Sequence, residues 1–173
     1  MYKPASLRAA IVAAAPDLDD QERLVLLVTN GGIVCRPSGL SFEYRYQLEL
    51  NVLDYPHHPD LLMVTVLDWL RTHQPEILQK PPADASRDFS FEADFLNNGA
   101  IDISIKLQLT ENVRIQRESG TQTITHLSEP VADFGNIAEE WLFYVMGELV
   151  GSYRKISQDA PATTIPAEEL LAP

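Results

Sequence analysis

Only one cysteine, Cys35, occurs in the 173 residues. A lone thiol forms no internal disulfide, and no CxxC or Cys/His zinc pattern is present, so the chain reads as one made in a reducing, intracellular setting. Basic residues are scarce: 13 Lys and Arg stand against 25 Asp and Glu, for a formal net charge of −12. Such a surface repels phosphate. It argues against a protein that grips DNA or an anionic membrane, though not against a channel through which DNA slides without sticking. No apolar run approaches the roughly 18 residues of a membrane span. The opening MYKPASLRAAIVAAAP carries Arg8 inside its apolar stretch and reads as a mature helix, not a secretion signal. Glycine-rich phosphate loops and the G-x-S-x-G elbow are also missing, which removes the commonest nucleotide-binding and hydrolase signatures.

What is there is patterned for a packed domain. Leu7, Ala10, Ile11 and Ala14 follow helical spacing between Pro4, which suits a first turn, and Pro16, which stops the helix. The segment DLDDQE reads as a polar connector. Asn30-Gly31-Gly32 sits between two apolar runs and reads as a hairpin turn, with a buried Cys35 on the returning strand. From Phe42 to Val52 apolar and polar residues alternate strictly over eleven positions. This is a strand of about 36 Å with one buried and one wet face, long enough to project toward a neighbour. After DYPHHPD the period changes. Leu62, Val66, Trp69, Leu70 and His73 line one side of a helix that starts near Asp60 and ends before Pro75. PEIL adds a further turn.

Two more alternating runs, with Phe89, Phe91, Ala93 and Phe95 inward on one and Ile101 to Leu109 on the other, flank an Asn97-Asn98-Gly99 turn. A smaller hairpin follows around Glu118-Ser119-Gly120. The segment EEWLFYVMGELVGSY then turns at Met146-Gly147 and needs a partner surface for its apolar residues. The fold expected is α+β: an antiparallel-rich or mixed β-sheet with two amphipathic helices on one face, plus a C-terminal hairpin or arm. The domains expected are 1–130 as the main unit, 131–154 as linker and arm, and 155–173 as a flexible Pro- and Ala-rich tail.

The one cluster that suggests chemistry is DYPHHPD, residues 54–60, in which Asp54, His57, His58 and Asp60 could be drawn as a metal site. Adjacent histidines diverge on a strand or turn and chelate poorly. A strand-to-helix corner is the simpler reading. A small metal-dependent hydrolase on His57 and His58 is the alternative from another functional class, and metal analysis separates the two.

Several blocks in fixed order carry a more specific signal: KPASLRAA, TNGG, LSFEYRYQLELNVLDY, HPD, WLRTHQPEIL, FLNN, DISIKLQLTE and SEP. Together they resemble the tail completion protein R (tail terminator) family of contractile-tailed temperate phages and of related phage-tail-like bacteriocins. The resemblance covers about residues 1–130, and GELV near 147 more loosely. It departs from the family pattern at His57 and Thr65, and the C-terminal part is longer.

The resemblance implies a structural protein with no enzymatic activity, no cofactor, no metal and no catalytic residue. It implies a homo-oligomeric ring, expected to be a hexamer, that caps the head-proximal end of the tail tube and fixes its length. Tube and sheath proteins would be partners, and in an infectious phage the head connector. No membrane and no specific nucleic acid would be bound. The setting would be a virion tail or bacteriocin particle assembled in the bacterial cytoplasm. Another neck or baseplate subunit is the alternative within assembly. Trp141, Phe143, Val145 and Leu149 are the expected subunit-interface residues.

Overall fold

The computed structural model describes residues 1–35, 37, 39–81, 87–96, 99–118, 120–129 and 140–154. The element order is α1 (Lys3–Ala14), a short 3-10 turn (Pro16–Asp19), β1 (Leu24–Cys35), β2 (Phe42–Tyr55), α2 (Pro59–His73), α3 (Pro75–Gln79), β3 (Phe89–Phe95), β4 (Ile101–Glu118), β5 (Thr121–His126), β6 (Glu140–Val145) and β7 (Glu148–Arg154). The expected linker at 131–139 and tail at 155–173, with Asn97, Asn98 and Ser119, lie outside the described residues.

One sheet carries strands in the order β1-β2-β4-β3, and β5 pairs with the far end of β4. Every pairing is antiparallel, so the α+β expectation holds with no parallel strand among the described residues. The alternation in β2 and β4 decides the faces. Tyr46, Leu48, Leu50 and Val52 pair with Leu109, Leu107, Ile105 and Ile103 on one face. These form the core with Leu7 and Ile11 of α1, Leu62, Val66, Trp69 and Leu70 of α2, and Ile77 of α3. The opposite face carries Arg45, Gln47, Glu49, Lys106 and Gln108 and stays in water. Strand β4 is the spine: its 18 residues span about 60 Å. It takes β2 along one edge and both β3 and β5 along the other.

Several expectations need correction. Asn30-Gly31-Gly32 is not a turn, because β1 runs through it as one 12-residue strand. Asn30 takes a positive φ of 50° and the pairing slips between Thr29 and Gly32, so the chain absorbs an extra residue as a bulge. Both β1 and β2 are therefore longer than expected, and their connection falls after Cys35. Cys35 is exposed rather than buried, because β1 is an outer strand. Phe91 and Phe95 sit on the core-side face but are 60% and 78% exposed, since no helix reaches over β3 there. The polar connector DLDDQE hides an anchor, Leu18, which is fully buried.

DYPHHPD is a corner. His58 is the N-cap of α2, its Nδ1 accepting the Asp60 backbone N–H at 3.2 Å, and Pro59 fills the first turn. His57 turns away to Asp17, with its Nε2 2.7 Å from the carboxylate. The two imidazoles thus serve separate structural contacts. Asp54 takes a positive φ of 50° where the β2–β4 register slips.

Candidate subunit interface

A buried polar cluster sets how the helices sit on the sheet. Glu111 of β4 is 3% exposed and lies at the start of α1. Its carboxylate accepts the backbone N–H of Tyr2 at 2.6 Å and of Lys3 at 3.2 Å. It therefore caps from across the molecule a helix that has no local side-chain cap. The hydroxyl of Tyr46 donates to it at 2.5 Å, and Nδ1 of His126 lies 3.0 Å away. Burial, reinforced by that carboxylate, pushes the Tyr46 phenol far above its ordinary value of 10.0.

Next to it, Lys3 Nζ donates to Gln74 Oε1 at 2.6 Å and to Glu129 at 3.0 Å. Gln74 also closes a gap in the sheet. Between β3 and β5 the edge of β4 is bare, and there Gln74 accepts the Thr110 N–H at 3.1 Å while donating to the Thr110 hydroxyl. On α2, Nδ1 of His73 lies 2.9 Å from the Trp69 carbonyl, which only accepts, so Nδ1 carries the proton. Its Nε2 then accepts from Ser6, whose oxygen takes the Trp69 indole N–H. These side chains have partners within the chain, and an open cleft of about 340 Å³ beside them is lined by Tyr46, Gln74, Ile77, Lys80, Asp88 and Thr110. Among the described residues no group of three or more His, Cys, Asp or Glu could hold a metal ion.

The surface is where the fold leaves work undone. Strand β1 ends the sheet on one side, and Leu24–Cys35 contains no charged residue and no proline. Leu27, Val28, Ile33 and Val34 are exposed along it, Ile33 at 62%. Long apolar edges without charges are what soluble proteins avoid unless another chain covers them. Strand β3 ends the sheet on the other side with Phe91 and Phe95 uncovered.

The third feature is the β6–β7 hairpin, a separate two-stranded sheet whose β7 runs past α1 and α2. Its tip is Met146-Gly147, both at positive φ (49° and 89°), the two-residue turn expected from the sequence. Trp141, Phe143 and Val145 lie on β6 and Leu149 on β7. Val145 is half-buried and Leu149 exposed; the side chains of Trp141 and Phe143 fall outside the described set. Leu142, Tyr144 and Met146, which the sequence reading did not single out, are exposed beside Leu149. Hairpins this small are marginal alone, so the arm needs a surface to lie on.

The chain belongs to the P2 phage tail completion protein R (GpR) family, whose pattern it matches over residues 1–130. It is thus a phage tail completion protein by family, as the order of its sequence blocks implies. Tail completion protein R of Escherichia phage P2 is 37% identical to it over 155 residues, covering 88% of this chain and 99% of that protein. No solved structure matches it.

Proposed function

We propose that the chain is a tail terminator: a structural subunit that closes the head-proximal end of a contractile tail tube as a homo-oligomeric ring, taken to be a hexamer. The observation that carries this is the pair of unlike open edges, β1 and β3, at opposite sides of one sheet. Two different edges that fit each other make head-to-tail contacts, and these close into a ring rather than a dimer. The arm, with Trp141, Phe143, Val145 and Leu149, is the second contact, packing on a neighbouring subunit or the tube. The ring would meet tube and sheath below and, in a phage with a head, the connector above. The chemistry is that of assembly, and the polar cluster around Glu111 serves folding.

Electron microscopy of particles produced without this chain tests the reading. Tubes of uncontrolled length, or with unfinished upper ends, are expected. Normal complete tails in its absence would overturn it.

A further inference from the structure

The two open edges match in more than apolar character. Thr110 N–H and Asn112 C=O of β4 point away from β2, toward Gln74 and Leu127. Peptide groups alternate along antiparallel strands, so this fixes which residues address each free edge. On β3 they are Phe89, Phe91, Ala93 and Phe95. On β1 they are Leu26 and Val28 and, past the bulge, Ile33 and Cys35. On the helix-side face, β1 offers Val28 and Ile33, which stand opposite Leu48 and Tyr44 of β2 and so four strand positions apart. Strand β3 offers Phe91 and Phe95, opposite Ile105 and Ile101 of β4, also four positions apart. Both pairs are uncovered.

We infer that β3 of one copy adds to β1 of the next, antiparallel, with Phe91 opposite Ile33 and Phe95 opposite Val28. This rests on the ring reading above and specifies its contact. The strand directions agree, because β1 and β3 already run opposite ways in the sheet. In this register the seven residues of β3 cover the stretch from Val28 to Cys35 and end where β1 ends. Ala93, with only a methyl group, faces the Asn30-Gly31 bulge.

The register also fixes a stagger. Ile33 is level, through Tyr44, with Glu111 of β4, whereas Phe91 is level with Ile105. Each copy is therefore displaced by six positions from the last. With about 3.3 Å per position and about 4.8 Å between four strands, the strands tilt by about 45° to the ring axis, near the tilt of closed barrels. Seen from the helix side with β4 ascending, L-stereochemistry places β2 and β1 to its right, so the next copy sits to the right and higher. The strands then wind in the right-handed sense that twisted sheets favour when the helices are outside. The polar face with Arg45, Gln47, Glu49 and Lys106 lines the opening.

Cross-linking tests the register. In it, Val34 and Ser90 are a non-hydrogen-bonded pair on the polar face, with Cα atoms about 4.5 Å apart, within reach of a disulfide. Both are exposed. The full chain carrying Cys35→Ser, Val34→Cys and Ser90→Cys is oxidised in purified tail particles and run on a non-reducing gel. A ladder from dimer to ring-sized multimer is expected. Val34→Cys alone, with no thiol in reach across the contact, and Val34→Cys with Glu92→Cys, two positions out of register, should both leave monomers. Complete tails that carry the variant but yield only monomers, or an equal ladder from the Glu92→Cys control, overturn this inference while leaving the ring reading intact. Complete tails without the chain at their ends overturn both.

Discussion

Glu111 gathers two backbone N–H groups, a tyrosine hydroxyl and a histidine at one buried carboxylate. Glu111→Ala strips all four of their acceptor, and a loss of about 3–5 kcal/mol is expected in urea denaturation. Two tyrosines predict the alkaline limb of stability. Burial raises Tyr46, aided by Glu111, and burial raises Tyr55, aided by the charge of Asp17. Below pH 10 the folded and unfolded chains both keep these protons and stability is flat. Above it the unfolded chain releases them while the folded chain holds them, so stability falls with rising pH, by up to about 1.4 kcal/mol per unit for each residue. Urea midpoints between pH 9 and 11 measure the slope, and Tyr46→Phe should make it shallower.

At the scale of elements, the bulge in β1 absorbs the extra residue at Asn30 and leaves Ile33 on the helix-side face. Deleting Gly31 would remove the extra residue, leave Ile33 and Cys35 opposite Tyr44 and Phe42, and straighten the edge that the bulge now bends. The expected outcome is a folded but assembly-deficient chain, checked by circular dichroism and by tail completion. Asn30→Val, forced to a positive φ, should cost about 1–2 kcal/mol in urea denaturation, and Asn30→Gly should cost little.

The long alternations of β2 and β4 and the helical spacing of α2 were legible because burial follows a period of two or 3.6. Asn-Gly-Gly misled because the same freedom to adopt positive φ serves a turn and a bulge alike, and only the partner strand tells them apart. Phe91 and Phe95 misled for a related reason. Alternation names a face, whereas exposure depends on how far the helices reach across it. The cluster at Glu111 left no local trace, since its members come from residues 2, 3, 46, 111 and 126, far apart in the chain.

For the whole molecule, removal of residues 131–173 separates folding from assembly. Lys3, Gln74, Glu111 and Glu129 all remain in 1–130, so the shortened chain should keep its circular dichroism spectrum and unfold cooperatively. It should fail to complete tails. Tyr144→Ser with Leu149→Ser in the full chain should weaken assembly in the same direction, measured by the fraction of particles with finished ends.

The reach of Lys3 has a consequence for synthesis. Helix α1 leaves the ribosome before the sheet, yet its start is held by partners 109 and 126 positions later. Until those arrive, the helix layer has no lock and the core face of the β1–β2 pair lies bare, a state prone to sticking. Each copy therefore gains its final shape only as translation of the domain finishes. If copies join through β1 and β3 as proposed, a chain cut short after β2 would offer the β1 edge with no β3 to pass on, and would end a growing ring.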